Sequence, residues 1–244
     1  MTGAAVRHDD AVTVDIRRAD ERFHTKLSWL DSRHCFSFGH FYDPANTHHG
    51  LLLVSNDDRV RAGAGFGTHA HADMEIVTWV LSGQLEHADS EGNHGDLYPG
   101  LAQRMSAGTG IRHSETNPSQ TDDVHFVQMW VPPDTNGVAP GYEQRDVNGE
   151  LAKGGLRPIA SGQGHEGAIT IHQRAAVLWG GRLQPGDVVS VPDDPFVHVF
   201  VALGSARLGD DALVAGDAAR LRAAGALELT AGDEGAEVLI WATG

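Results

Sequence analysis

Short apolar runs punctuated by Gly, Asn and Asp fill most of this chain. "VTVDIRRA", "HCFSFGHFYDP", "GLLLVSNDDRV" and "EIVTWVLSG" come first, and "VHFVQMWVPP" (Val124 to Pro133) ends at a Pro pair. Each has strand length and is rich in β-branched or aromatic residues. The breakers between them suit antiparallel strands joined by loops. "GQLEHADSEGNHG" reads as a hairpin around "DSEGN", and "GDLYPG" as a further turn. No amphipathic helix longer than about three turns stands out. "GDAARLRAAG" has helix propensity, but its flanks favour turn plus strand.

The pattern breaks in "DTNGVAPGYEQRDVNGELAKGG" (Asp134 to Gly155), which is polar and turn-rich. A second series of short runs follows, from "AITIHQ" and "AVLWGGRL" to "EVLIWAT". The expectation is an all-β chain of two consecutive antiparallel jelly-roll barrels. The first spans residues 1–135, with 1–12 disordered; 136–155 is a linker; the second spans 156–244.

Composition narrows the function. A formal charge of −15 repels phosphate backbones and anionic membranes. The densest basic spot, Arg17-Arg18, is followed at once by Asp20 and Glu21. With Cys35 the one cysteine, no intrachain disulfide or thiolate zinc cluster forms; a buried, unreactive thiol is the expectation. No apolar h-region opens the chain and no window approaches ~18 apolar residues. A cytoplasmic protein is expected, with no direct nucleic-acid or membrane partner.

Histidine carries the candidate chemistry. In "GFGTHAHADMEIVTWVLSG", His69 and His71 stand two apart and share one strand face, about 6.6 Å apart along the backbone; Asp73 and Glu75 continue that parity. In "SAGTGIRHSETNPS", His113 and Glu115 again stand two apart, after the flexible turn Gly108-Thr109-Gly110. Two such pairs meeting inside a barrel offer three imidazoles and one carboxylate. Mixed N and O donors suit Fe, Mn, Ni, Cu or Zn over Ca or Mg. Four protein ligands leave open positions on an octahedral ion, which marks a reactive site. His125 reads as a pocket-lining or satisfied core residue, and Arg112 as a surface ion pair. His48, His49 and His94 read as loop residues, and His165, His172 and His198 as isolated ones in a second barrel without metal.

"GFGTHAHADMEIVTWVLSG" resembles the first cupin motif, and "GTGIRHSETN" the second, with Gly108 where proline is usual. The longer strings "WLDSRHCFSFGHFYDP", "GFGTHAHADMEIVTWVLSGQLEHADSEGN", "QRMSAGTGIRHSETNPS" and "YEQR" are similar to the pirin family, and within it to bacterial members resembling quercetin dioxygenases. The close resemblance covers roughly Ala19 to Arg145. It implies a bicupin with one divalent transition metal in the N-terminal barrel, Fe2+ first, with Mn, Ni, Cu and Zn as alternatives. Carried over, the pirin ligands are His69, His71, His113 and Glu115, whereas general cupins use the first-motif carboxylate, here Glu75. The resemblance further implies cleavage of a flavonol by dioxygen with release of carbon monoxide, Glu115 accepting the substrate's hydroxyl proton. A non-enzymatic, metal-dependent regulator acting through a protein partner is the alternative.

Overall fold

The computed structural model describes residues 12–244; apart from Val12, the segment expected to be disordered lies outside the described residues. The elements, in chain order, are β1 (Thr13–Arg17), β2 (Phe23–Lys26), β3 (Leu30–His34), β4 (Val54–Val60), β5 (Gly65–His71), β6 (Glu75–Ser82), β7 (Leu85–Asp89), β8 (His94–Leu97), β9 (Leu101–Ser106), β10 (Ile111–Thr116), β11 (Val124–Val131), β12 (Gly141–Asp146), α1 (Asn148–Leu151), β13 (Arg157–Ser161), β14 (Ile169–Thr170), β15 (Ala176–Leu183), β16 (Val188–Ser190), β17 (Phe196–Leu208), β18 (Asp211–Val214), β19 (Ala218–Arg222) and β20 (Glu228–Thr243). "GDAARLRAAG" supplies strand β19, as its flanks indicated.

Three sheets account for the strands. A seven-stranded sheet runs β12-β9-β6-β11-β4-β3-β2, and a four-stranded sheet, β5-β10-β7-β8, faces it. A nine-stranded sheet, with β1-β19-β17-β20-β15-β13-β14 as its main path, builds the C-terminal half. The long strands β17 and β20 carry register shifts, such as that between Val201 and Leu203. Such bulges bend strands, which lets a sheet curl.

The seven-stranded sheet has no wet face over much of its centre, which is why β6 and β11 read as continuous apolar runs rather than alternating ones. Val77, Trp79, Val127 and Met129 pack on one side with Leu178, Phe200 and Trp241 of the C-terminal half. Side chains of this size contribute roughly 1.5–3 kcal/mol each on full burial. Two polar handles fix this interface: Trp79 Nε1 donates to Glu237 Oε1 at 2.7 Å, and Trp241 Nε1 to Met129 Sδ at 3.1 Å. The opposite face looks into the first barrel and carries the polar residues described below.

Two placements differ from the sequence expectation. Strand β1, counted with the first barrel, instead pairs along its length with β19, Thr13 opposite Arg222 and Arg17 opposite Ala218. Residues 136–155, read as a linker, contain strand β12, which pairs with β9 from Gly141 opposite Ser106 to Asp146 opposite Leu101. That strand lies at the sheet edge, where one face stays wet and polar residues are tolerated. Its "GYEQRD" therefore lacks the apolar signature of a central strand.

Candidate metal centre

The four-stranded sheet carries the histidines. Strand β10 lies between β5 and β7, with His113 opposite both His69 and Asp89, and Glu115 opposite both Phe66 and His87. Alternation along β10 turns His113 and Glu115 inward, both buried, and leaves Arg112 exposed between them and Ile111. Between His113 and Glu115 the register with β5 shifts: Gly67 and Thr68 on β5 face the single residue Ser114 on β10. A bulge of this kind re-aims side chains beside a site. Within it, the Gly67 carbonyl oxygen is 2.8 Å from His69 Nδ1. A carbonyl only accepts, so Nδ1 carries the proton and Nε2 keeps a free lone pair.

The three imidazoles converge. Ring centroids are 4.9 Å apart for His69 and His71, 4.3 Å for His69 and His113, and 5.0 Å for His71 and His113. One nitrogen from each lies within 4.8 Å of the others. A second set at the same spacing joins His87, His113 and Glu115, so His113 belongs to both and Glu115 adjoins the first set through it. His71 Nε2 and both ring nitrogens of His113 are buried without hydrogen-bond partners. Burial, reinforced by His69, holds His71 down at about 4. Burial, with His69, His71 and His87 adding to it, holds His113 down at about 3. Both rings are therefore neutral at physiological pH, the form that ligates metals.

The carboxylate is held from across the barrel. Gln128 Nε2 donates to both oxygens of Glu115, at 2.8 and 2.9 Å. Trp130 Nε1 donates to Gln128 Oε1 at 3.2 Å, which fixes the amide so that its NH2 must face Glu115. Burial raises the Glu115 pKa, opposed by the Gln128 bond and the neighbouring imidazoles of His87 and His69.

Gln128 belongs to a polar row that crosses the seven-stranded sheet. His34 stands opposite Asn56, Asn56 opposite Gln128, Gln128 opposite Thr78, and Thr78 opposite Gln103. All five are buried. Between this row and the histidine sheet lies a cavity of about 440 Å³, whose walls include Trp29, Phe38, Phe66 and Trp130. Trp29 meets Phe66 edge-on at 5.2 Å, and Phe38 meets Trp130 edge-on at 5.6 Å. The volume lies within the range of about 300–1,000 Å³ of small-molecule pockets.

The other candidates separate from this site. Asp73 takes φ +48 and its Oδ1 accepts from Gly137 N at 2.6 Å. That reversal ends β5, so Glu75 starts a new strand and the shared parity expected for it is lost. Glu75 is fully buried on the C-terminal side, accepting from Ser106 Oγ at 2.8 Å and His172 N at 3.0 Å. The general-cupin carboxylate is thus an anchor between the two halves, and His172 is not isolated. His125 points the same way, its Nε2 2.5 Å from Asp57 Oδ1. Arg112 has no acidic partner among the described residues, contrary to the surface ion pair expected. His49, expected in a loop, is buried with Nε2 2.9 Å from Leu221 O. Cys35 is buried and free.

Sequence reasoning missed His87. It is 1% exposed, stacks on Tyr142 at 4.9 Å, and has Nε2 3.2 Å from Asp89 Oδ2. The signal was parity in "LEHAD": His87 shares the inward face with Leu85.

The N-terminal part, residues 16–131, matches the Pirin family model, and residues 158–241 match the quercetinase C-terminal cupin domain. A Mycobacterium tuberculosis H37Rv protein, provisionally named a quercetin 2,3-dioxygenase, is 58% identical over 94% of each chain. The chain belongs to the pirin family. Its bicupin fold is matched by the crystal structure of YhhW from Escherichia coli, at TM-score 0.88 and 38% identity over 95% of this chain and 98% of that one. The same bacterial pirin has been solved in complex with nickel(II). A protein named quercetin 2,3-dioxygenase in Escherichia coli K12 is 49% identical over 65% of this chain and 67% of its own length. No helix among the described residues of this pirin-family chain is long and apolar enough to cross a membrane.

Proposed function

We propose that His69, His71, His113 and Glu115 hold one divalent transition metal, and that the protein is a flavonol 2,4-dioxygenase of the quercetinase type. The observation that carries this reading is the convergence of three imidazoles beside a buried carboxylate, with His69, His71 and Glu115 lining an aromatic-walled cavity. The donor set fits such an ion: its imidazoles are neutral, and buried nitrogens on His71 and His113 have no other partner. Three nitrogens and one oxygen suit Fe2+, our first assignment, or Ni2+, Mn2+, Cu2+ or Zn2+. When bound, the metal supplies Lewis-acid activation of the substrate hydroxyl and access to dioxygen.

The chain's own residues do the rest. Trp29, Phe38, Phe66 and Trp130 hold a flat, fused-ring substrate and exclude water. Glu115 accepts the proton of the flavonol hydroxyl, for which it must lie within hydrogen-bond reach. Gln128 keeps that carboxylate aimed at the cavity. Overall the flavonol gains both oxygen atoms of O2 and loses one ring carbon as carbon monoxide. A single buried thiol, Cys35, agrees with a reducing cytoplasm.

Oxygen uptake tests the reading, with iron-loaded or nickel-loaded protein and quercetin. Wild type consumes oxygen and releases carbon monoxide in equal amounts, while His69→Ala and Glu115→Ala do not. Uptake no greater than that of metal-free protein removes the enzyme reading and leaves the regulatory one.

A further inference from the structure

The cavity has a second polar end, away from the imidazoles. Strands β3 and β4 place Ser32 opposite Asp58 and His34 opposite Asn56, and all four line the cavity. His34 Nδ1 lies 2.9 Å from Asn56 Oδ1, and His34 Nε2 2.9 Å from Thr25 Oγ1. The carbonyl oxygen of Asn56 must accept, so Nδ1 donates, and the Thr25 hydroxyl then donates to Nε2. Asn56 is thus locked with its oxygen spent on His34, and its NH2 group makes no hydrogen bond to the described residues. Beside it, Asp58 is 3% exposed, and its Oδ1 is buried without a partner.

The Asp58 oxygen left unmatched in a buried wall is costly. An unsatisfied buried polar group destabilises by about 1–3 kcal/mol. Folded chains hold few such groups, and each calls for a partner, be it a water, an ion or a bound ligand. Thr25, Ser32, His34 and His40 also line the cavity, but Thr25 and His34 are bonded to each other, and Asp58 Oδ1 is the one buried side-chain atom at this end, among the described residues, left without a partner.

We propose that Asn56 and Asp58 are specificity-determining residues that bind a ring hydroxyl of the substrate at the end remote from the imidazole cluster. The inference rests on the flavonol reading and narrows it: the pocket selects a polyhydroxylated flavonol over one bearing only the 3-hydroxyl. A phenolic hydroxyl both donates and accepts, so it completes the Asp58 carboxyl in either protonation state and accepts from the Asn56 amide. A site built to bond a hydroxyl rejects the analogue that lacks it, because its own polar groups then stay unpaired.

Three ligands that share the 3-hydroxy-4-keto group test this: quercetin, galangin, which lacks hydroxyls on the pendant ring, and 3-hydroxyflavone, which has no other hydroxyl. Binding is read in metal-free and in Ni2+-loaded protein by quenching of tryptophan fluorescence, since Trp29 and Trp130 line the cavity. In wild type quercetin binds at least about tenfold tighter than 3-hydroxyflavone. Asp58→Leu, nearly equal in volume, weakens quercetin binding by about tenfold and leaves 3-hydroxyflavone unchanged, so the preference disappears. Asp58→Asn keeps shape and hydrogen bonding and retains the preference. Asn56→Ala, which opens space instead of filling it, reads the same loss in a second background. Whether galangin behaves like quercetin or like 3-hydroxyflavone shows which ring reaches the wall. If wild type binds all three equally, or Asp58→Leu leaves the preference intact, the inference is overturned while the flavonol reading stands. If wild type binds none of them, both are overturned together.

Discussion

Replacing Gln128 by Leu separates the carboxylate's support from the carboxylate itself. The side chains are close in volume, so the cavity keeps its shape, but Glu115 loses the donor that reaches both its oxygens at 2.8 and 2.9 Å. One nitrogen makes both contacts, so the loss is that of one charge-assisted bond shared between two acceptors rather than two separate bonds. Loss of an outer partner of a metal ligand typically weakens affinity 10–100-fold; the shared geometry places this variant near the lower end, about tenfold, or ~1.4 kcal/mol. A proton also competes with the ion for Glu115. Burial already raises that carboxyl, and without Gln128 the largest opposing contribution is gone. The affinity ratio between wild type and variant therefore widens as pH falls from 8 to 6. Competition for Ni2+ against a chromophoric chelator at both pH values measures it, with thermal unfolding confirming that the variant is folded. A ratio below about threefold at both pH values would refute the argument that Gln128 sets the carboxylate.

Further outcomes follow from other contacts. Gly65→Ala puts a methyl group 2.3 Å from the Glu115 carbonyl oxygen and 2.6 Å from Thr116 Cα, pushing β5 off β10; Ni2+ stoichiometry per chain falls well below that of wild type, by elemental analysis. Asp57→Asn leaves the Arg22 guanidinium, 2.9 Å away and 3% exposed in its side chain, without its anion; urea denaturation shows a loss of about 3 kcal/mol. Burial lifts Asp58 from 3.8 to about 7, so the folded state holds its proton more tightly than the unfolded chain. Its contribution is favourable below pH ~4 and lost as pH rises through 7, a fall of up to about 4 kcal/mol. In metal-free protein Asp58→Asn therefore gains on wild type across that window, as denaturation curves at pH 4, 5.5 and 7.5 will show.

Much of the centre is legible from strand periodicity. Two residues apart on a strand means the same face, and that rule places His69 with His71 and His113 with Glu115. It fails at Glu75, because Asp73 takes a left-handed backbone between the two strands and resets the parity; nothing in "HADME" announces the reversal. His87 escapes sequence reasoning because nothing in a hairpin separates a lone buried imidazole from a surface one until Tyr142 and Asp89 are placed around it. The supporting row from His34 to Gln103 is one residue per strand across five strands, a pattern that exists only in the register of the sheet. The edge strand β12 reads as a linker because a half-wet strand needs few apolar residues.

The pairing of β1 with β19 joins segments far apart in the chain. Residues 13–17 leave the ribosome well before their partners at 218–222, which emerge roughly 200 residues later. The C-terminal sheet thus gains this outer strand only once residues 218–222 have been made. Fusing a rigid partner directly to Thr13, or trimming the chain to begin at β2, would bare the backbone of β19 as an open edge, an invitation to strand exchange between copies.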